Sequence, residues 1–171
     1  PTDALKTSLY NGSLDLAFID EPISDTELDC LPCWTQELRL IVNKRHPFAK
    51  RSSVSLNDLE GHYLISYDLQ HPLGKTLANL IDGKPLQVGY RYKDEITLAS
   101  IVLANPDIMA LACQSWLLKS YADEVRFLTI EEAPKDFRQL YIAYRLSALQ
   151  NEAIYEFLGL AKELFMGGIR R

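Results

Sequence analysis

Polar side chains follow three apolar runs of this chain, at the points where the runs end. They are Asp20 after residues 14–19, Ser66, Tyr67 and Gln70 after residues 62–65, and Cys113, Gln114 and Ser115 after residues 108–112. In an open α/β sheet, ligands bind outside the carboxyl ends of the strands, where helix N-termini present unpaired N–H groups. These side chains therefore indicate a binding site for a small molecule. The alternative roles are helix caps and surface turns and, for Cys113, core packing.

Catalytic chemistry has little support in the residue types. The three histidines are scattered, and His46 and His71 each precede a proline in a turn. The sequence lacks G-x-S-x-G, the phosphate-binding P-loop, G-x-G-x-x-G and H-E-x-x-H. The adjacent acids at 94–95 and 131–132 point apart on a helix or strand, which is typical of solvated or capping charges. We therefore predict that the chain is not an enzyme and has no cofactor.

The three cysteines, Cys30, Cys33 and Cys113, leave two interpretations open. An odd count in a chain of 171 residues suits a reducing compartment better than a disulfide framework. Cys30 and Cys33 form a C-x-x-C motif, but it lies in extended sequence before a strand, without a second C-x-x-C or a histidine pair. The residues favour two reduced, partly buried thiols, and a metal or redox site is the alternative.

Composition and charge narrow the function classes. Of the residues, 47% are hydrophobic and 24% are charged, as in ordinary globular proteins. The formal net charge is −5, and the lysines and arginines are dispersed, so no face is built to neutralise phosphates. No apolar run approaches the ~20 residues of a membrane helix, and no signal peptide precedes Pro1. We expect a soluble, cytoplasmic chain that binds neither nucleic acid nor membranes by itself.

Hydrophobic periodicity and turn residues predict alternating helices and strands. The predicted helices are residues 2–10, 73–81, 95–104, 114–121 and 149–165. The predicted strands are residues 14–19, one or two strands within 31–42, and 63–67, 87–92, 108–112, 125–130 and 139–144. Asn11-Gly12 should end the first helix, because glycine readily adopts the left-handed backbone of a C-cap. Short apolar strands between helices favour a mainly parallel sheet that is covered on both faces.

Three segments occur in an order that resembles the effector-binding domain of LysR-type bacterial transcription regulators. They are GSLDLAFID from Gly12, ELRLIVNKRHPFAKR from Glu37 and VSLNDLEG from Val54. In that family a G-x-L-D-L-A-I strand, an E-x-L-x-L-V strand ending in H-P-L-A, and a V-x-L-x-D-L turn recur in this sequence order. Each piece alone is common, whereas the ordered set is fairly specific. The resemblance covers nearly the whole chain.

The resemblance implies a two-lobed α/β fold of the periplasmic-binding-protein-like (type II) class, with mixed, mainly parallel sheets flanked by helices. Lobe one would comprise residues 1–52 and 130–171, and lobe two, residues 53–129, would be inserted in it. In the family a strand, a helix and another strand precede the helix predicted at 2–10. We therefore expect lobe one to be incomplete at its N-terminus. The family's helix-turn-helix DNA-binding domain is also absent from this sequence.

The resemblance also implies where an effector binds. The family positions that line the cleft between the lobes match the strand-end residues named above, and Ile96 and Thr97, at the start of the helix at 95–104, lie near it. The run at 104–112 departs from the family's A-G-L-G-I followed by A-L-L-P, because it lacks both glycines and the closing proline. Asn105-Pro106-Asp107 can turn in their place, so we expect the same fold with a different local pocket. Trp116 is predicted to be a core residue.

These features predict the ligand-sensing domain of a LysR-type regulator. It would bind a small-molecule effector between its lobes and shift the lobe angle within a homo-oligomer, a dimer or tetramer, that contacts DNA only through the missing N-terminal domain. The main alternative is an extracytoplasmic solute-binding protein of a transporter, against which stand the missing signal peptide and the three thiols. An enzyme lobe of related topology is the third interpretation, and it lacks a convergent acid, base and nucleophile.

Overall fold

The computed structural model describes residues 2–166, which fold into two compact units. The central unit comprises residues 36–138. The terminal unit combines the residues up to 35 with those from 139 onward, so the central unit lies between its two segments along the chain. The helices are α1 (Thr2–Tyr10), α2 (Pro72–Leu80), α3 (Glu95–Ala104) and α4 (Glu152–Met166). The strands are β1 (Leu16–Ile19), β2 (Leu28–Gln36), β3 (Leu38–Asn43), β4 (Ser53–Val54), β5 (Leu64–Tyr67), β6 (Val88–Tyr92), β7 (Met109–Cys113), β8 (Val125–Ile130) and β9 (Arg138–Arg145).

The terminal unit is a three-stranded sheet, ordered β1-β9-β2, with one helix on each face. Because side chains alternate along a strand, Ala143 and Ile142 of β9 point to opposite faces. Ala143 packs in a cluster with Leu9 of α1, whereas Ile142 packs with Leu158 of α4. Gly12 has a φ of +77° and follows α1, which confirms the predicted glycine C-cap.

The central unit is a mixed six-stranded sheet, ordered β4-β8-β3-β7-β5-β6. β5 pairs in parallel with β6 and with β7, whereas β3 pairs antiparallel with β7 and with β8. Every residue of β5 and of β7 is buried, which explains why β7 reads as an uninterrupted apolar run and why β5 carries only one serine among apolar and aromatic residues. The side chain of Asp94 caps α3 by accepting a hydrogen bond from the Thr97 amide, as predicted for this helix start.

The observed units differ from the predicted lobes. The sequence interpretation placed residues 36–52 in lobe one, but β3 lies between β7 and β8 and is hydrogen-bonded to both. Residues 130–138 likewise continue from β8 within the central unit. The chain therefore divides after residues 35 and 138 instead of after residues 52 and 129. The lobe boundaries were carried over from the family resemblance, which was read from local segments, and local segments do not reveal which strands are paired.

Two predicted helices are partly replaced by 3₁₀ turns. The segment predicted as a helix at 114–121 is a 3₁₀ turn at Trp116–Tyr121, with i to i+3 hydrogen bonds such as that from the Ala122 amide to Lys119 O. The last helix begins at Glu152 instead of residue 149, because Asn151 Oδ1 accepts a hydrogen bond from the Ala153 amide. A 3₁₀ turn, Leu146–Gln150, precedes it. Within the described residues, no helix has the length and apolar character needed to cross a membrane.

Candidate functional site

The carboxyl ends of β5, β6 and β7 lie at one edge of the central sheet, since the three strands run in parallel. The Tyr67 hydroxyl at the end of β5 accepts a hydrogen bond of 2.9 Å from the Cys113 amide at the end of β7. The first residue of β3, Leu38, pairs with Cys113 and brings the amino end of that strand to the same place. We call this region the strand-end site. The structure thus brings together the two central strand ends that the sequence singled out.

The hydroxyl of Ser66 is used within the fold. Ser66 is fully buried, and its Oγ donates a hydrogen bond of 2.6 Å to Leu111 O on β7. The register pairs Ile65 with Ala110, and the side chain of Ser66 continues the connection between β5 and β7 beyond this point. The hydroxyl proton therefore links the two strands, and the hydroxyl oxygen could interact with a ligand only as an acceptor.

Tyr67 and Cys113 are neutral polar groups at the strand-end site. Burial raises the pKa of Tyr67 well above its ordinary value and raises the pKa of the Cys113 thiol to about 12. The carboxylate of Glu95 adds to both shifts, and the guanidinium of Arg138 acts in the opposite direction. A buried, protonated thiol is a poor nucleophile, so Cys113 has the character of a packing residue instead of a reactive one.

Ser115 carries the most informative polar atom of the strand-end site. Its side chain is only 6% exposed, and its Oγ is buried without a hydrogen-bond partner among the described residues. Ser115 precedes the 3₁₀ turn at Trp116–Tyr121 but makes no side-chain cap bond there. A buried hydroxyl without a partner costs roughly 1–3 kcal/mol of folding free energy. The neighbouring Gln114 has an exposed side chain, and its backbone amide donates a hydrogen bond of 2.9 Å to Glu37 O.

The start of α3 presents fewer free groups than the sequence suggested. Both donors of Thr97 are used by Asp94, because the Thr97 amide donates to Oδ1 at 2.8 Å and its hydroxyl donates to Oδ2 at 3.0 Å. Ile96 is 41% exposed and offers an apolar surface. Gln70 is exposed in the turn after β5, where its backbone amide donates a hydrogen bond of 2.9 Å to Asp68 Oδ1.

Asp20 belongs to the other unit. It follows β1 directly in the terminal unit and is half-buried. Its role in effector binding stays a prediction of the family resemblance.

Three residues near the strand-end site were missed or misjudged from the sequence. Arg91 Nη1 donates to Tyr67 O at 3.3 Å, and Arg138 Nη1 donates to Gln36 Oε1 at 3.1 Å. No sequence signal pointed to Arg138, because it lies more than 20 residues from every other member of the site. Trp116 was predicted to be a core residue and is 82% exposed, which corrects that prediction. The signal that could have found it is its position directly after the polar Gln114 and Ser115 at a strand end.

The two thiols of the C-x-x-C motif do not share a site. Cys30 packs in the cluster on the α1 face of the terminal sheet, where its Sγ accepts a hydrogen bond from the Ile23 amide at 3.4 Å. Cys33 packs in the cluster on the α4 face, and burial raises the pKa of its thiol. Residues three apart on a strand point to opposite faces, so these thiols cannot bridge to each other or ligate one metal ion. Both are free thiols in the structure.

His46 forms a titratable cluster away from the strand-end site. It is 8% exposed, its Nδ1 accepts a hydrogen bond from the Phe48 amide at 3.1 Å, and its ring lies 6.1 Å from that of His62. Burial, with a smaller contribution from His62, lowers the pKa of His46, while Asp107 opposes the shift. Protonation of Nδ1 would also remove the acceptor of the hydrogen bond that caps the turn at Pro47–Lys50.

We expect this histidine to make the protein less stable in mild acid. The lowered pKa means that the unfolded chain binds a proton more readily than the folded one. Neutral His46 therefore makes its full contribution to the free energy of unfolding above the ordinary histidine pKa of about 6.5. This contribution is lost as the pH falls through that value towards the lowered pKa. Urea unfolding at pH 7.5 and pH 5.0 should show this loss. In His46→Asn, whose amide oxygen can accept the same bond, the loss should be smaller, and an equal loss in both proteins would contradict the assignment.

A family comparison decides which of the predicted classes applies. The model of the LysR substrate binding domain matches residues 1–166. The chain belongs to this family. The resemblance inferred from the ordered segments is thereby confirmed, and the fold class is confirmed with it.

Curated relatives of this LysR substrate-binding domain are transcriptional regulators. The chain is 27% identical over 120 residues to the uncharacterized HTH-type transcriptional regulator YybE of Bacillus subtilis, which covers 69% of the chain and 41% of that protein. It is 33% identical over 97 residues to the probable RuBisCO transcriptional regulator of Trichormus variabilis, covering 55% of the chain and 28% of that protein. The chain thus spans less than half the length of these relatives.

Solved structures share the fold of this LysR substrate-binding domain. The effector binding domain of QuiR in complex with shikimate has a TM-score of 0.77 and 22% identity, covering 98% of this chain and 79% of that one. The regulatory domain of CcmR from Synechocystis PCC6803 in complex with 2-PG has a TM-score of 0.75 and 19% identity, covering 96% of this chain and 79% of that one. The reduced OxyR regulatory domain from Pseudomonas aeruginosa has a TM-score of 0.72 and 16% identity, covering 95% and 78%. At these identities the likeness shows the fold alone.

Proposed function

We propose that this LysR substrate-binding domain senses a small-molecule effector at the strand-end site of its central unit. The observation that carries the proposal is the buried Ser115 hydroxyl, which has no hydrogen-bond partner among the described residues. Buried polar groups in native proteins are almost always paired, so an unpaired one calls for a partner that the folded chain does not provide. A ligand with a hydrogen-bonding group is such a partner.

The surroundings of Ser115 suit a neutral or weakly charged polar ligand. Tyr67 and Cys113 are protonated at physiological pH, since burial raises the pKa of both. Arg138 and Glu95 place one charge of each sign near them, so neither a strong cation nor a strong anion is favoured by the pair alone. Gln114 and Trp116 flank Ser115 in the chain, and their exposed side chains offer an amide and an aromatic surface. Ile96, which is also exposed, follows Glu95, whose charge acts on Tyr67 and Cys113. We assign secondary roles to Ser66 and Thr97, because their hydroxyl protons are used within the fold, and we keep the exposed side chain of Gln70 as a candidate contact.

The effector would act by shifting a conformational population. A ligand that binds one state of the domain more tightly than another shifts the equilibrium towards that state, and the shift equals the difference in binding free energy. The domain would transmit this change within a homo-oligomer that contacts DNA through a helix-turn-helix outside residues 1–171. We place this regulator in the cytoplasm and assign it no catalytic activity.

The alternative of a transporter's solute-binding protein has the same fold. Two observations favour the regulator: the family model is that of LysR substrate-binding domains, and the curated relatives are transcriptional regulators.

A thermal-shift screen tests the proposal. The screen would include shikimate and other small hydroxy and keto acids, together with amino acids, each at several concentrations. A compound present at ~100 times its dissociation constant should add about 2.7 kcal/mol of stability, and its effect should grow with concentration. The proposal requires a smaller shift in Ser115→Ala, which removes the hydroxyl without adding volume to the site. If a compound stabilises the wild-type chain and Ser115→Ala equally, the effector binds elsewhere.

A further inference from the structure

A second concave surface lies entirely within the terminal unit. It is a groove of about 450 Å³ that is lined by residues of β2 and α4, together with Tyr144 of β9 and Leu149. This volume is within the range of small-molecule sites in proteins. All residues that line the groove belong to the terminal unit, whereas the strand-end site belongs to the central unit. The groove is therefore a separate feature of the molecule.

Gly159 lines the groove without a structural reason for being glycine. Its φ is not positive, and a Cβ placed on it would meet no atom within 4 Å. Glycine inside a helix costs about 0.5–1 kcal/mol relative to alanine, and α4 includes this residue in its eighth position. Neither backbone strain nor close packing accounts for that cost. What the absent side chain does leave is an open space in the wall of the groove.

The groove combines an apolar surface with one unpaired cation. Leu31, Leu158 and Met166 supply apolar lining, and Tyr155 on the rim is 65% exposed. Lys162 also lines the groove, and no salt bridge within the described residues involves it. Asp29 also lines the groove, and its carboxylate accepts hydrogen bonds from the Cys30 amide at 2.8 Å and from the Tyr144 hydroxyl at 3.3 Å. No salt bridge joins it to Lys162 within the described residues, so a ligand anion must approach Lys162 and keep away from Asp29. The groove thus has an apolar surface against which a flat apolar group can pack, and the ammonium group of Lys162 can pair with an anion.

We infer that this groove is a second ligand site, which binds a small carboxylate with a flat apolar body. The apolar body lies against Leu31 and Leu158 beside Gly159, and the carboxylate pairs with Lys162. This site is independent of the strand-end site and does not require the proposed effector to bind there. Two alternatives compete with this inference. In the first, a second copy of the chain covers the groove, and in the second, the groove binds no specific ligand.

The probe for the test is 1-naphthoate, and 1-naphthamide serves as its neutral counterpart. Two-dimensional NMR of the 15N-labelled 171-residue chain would follow the amides as each probe is added. The expected result is a saturable shift of the amides of Leu31, Gly159 and Lys162 by 1-naphthoate. Lys162→Met should weaken binding of 1-naphthoate about two- to fivefold, the range of an exposed ion pair, and leave 1-naphthamide unchanged. The matched control is Lys75→Met on α2, which should change neither.

Variants that fill the groove provide a second test of the inference. Gly159→Leu should abolish binding of both probes, while Glu163→Leu, which adds the same side chain outside the groove lining, should leave both unchanged. Gly159→Ala should raise the melting temperature and weaken binding at once, since it removes the helix cost and narrows the groove. Saturable shifts confined to other residues, or unchanged binding in Gly159→Leu, would overturn the inference. Probe-free shifts at Gly159 that depend on protein concentration would also overturn it, because they would assign the groove to a second copy.

Discussion

Replacing Ser66 by Trp is expected to unfold the central unit. Ser66 is fully buried in the middle of a sheet in which β5 and β7 are buried throughout. Forcing a larger side chain into such a core costs typically 1–3 kcal/mol and sometimes more. Loss of the hydrogen bond to Leu111 O leaves that buried carbonyl without its donor, which adds roughly 1–3 kcal/mol. The sum is a large fraction of the 5–15 kcal/mol that stabilises a typical domain.

Thermal unfolding followed by circular dichroism checks this expectation. Ser66→Trp should lose the cooperative transition or melt far below the wild-type chain. The matched control is Gln114→Trp, which places the same side chain at the end of the adjacent strand, where Gln114 is exposed. The control should melt within a few degrees of wild type. A well-folded Ser66→Trp protein would show that Ser66 lies at an open site instead of in the core. It follows that Ser66→Trp cannot be used to block effector binding without unfolding the domain.

Removing the Ser115 hydroxyl is expected to change stability and binding in opposite directions. Ser115→Ala eliminates a buried hydroxyl that lacks a partner, so the free energy of unfolding should rise by about 1 kcal/mol and the melting temperature by about 2–4 °C. The same change removes a hydrogen bond to the effector, which should weaken binding about tenfold if the bond contributes ~1.4 kcal/mol. Calorimetry gives the affinity, and urea unfolding gives the stability.

Ser66→Ala is the matched control for this pair of measurements. Its hydroxyl is paired inside the fold, so Ser66→Ala should lower stability by roughly 1–3 kcal/mol and affect binding little. If Ser115→Ala raises stability and Ser66→Ala lowers it, the Ser115 hydroxyl serves ligand binding and the Ser66 hydroxyl stabilises the fold. A loss of stability in Ser115→Ala would mean that its hydroxyl has a partner in the folded protein and would remove the main support for the site.

The local elements were largely predictable because their signals are local. The fully buried strand β7 appears as a continuous apolar run, and β5 has one serine among apolar and aromatic residues. Helices α1 and α3 are bounded by Gly12 and Asp94, whose cap roles follow from backbone geometry. Strand pairing is different, because it joins residues that are far apart in the sequence. The lobe bounds carried over from the family resemblance separated β3 from its partners β7 and β8, which follow some 70 residues later or more.

The candidate site was predictable in its position but not in its hydrogen bonds. Parallel strands bring their carboxyl ends to one edge, so the polar residues after β5 and β7 were expected to meet there, and they do. Which hydroxyl is already paired cannot be read from a sequence. Ser66 and Ser115 follow similar apolar runs, yet one donates to Leu111 O and the other has no partner among the described residues. The exposed Trp116 shows the same limit, because helical spacing does not determine which side of a turn faces solvent.

The position of a bound effector would show whether the strand-end site is the binding site. The compound that gives the largest thermal shift would be titrated into the 15N-labelled chain, and the amide shifts would be followed by two-dimensional NMR. We expect saturable shifts of the amides of Cys113, Gln114 and Ser115 and of those at the ends of β5 and β6. In Ser115→Ala the affinity measured from all of these shifts should fall together. Saturable binding that leaves the amides of residues 113–115 unchanged would contradict this expectation.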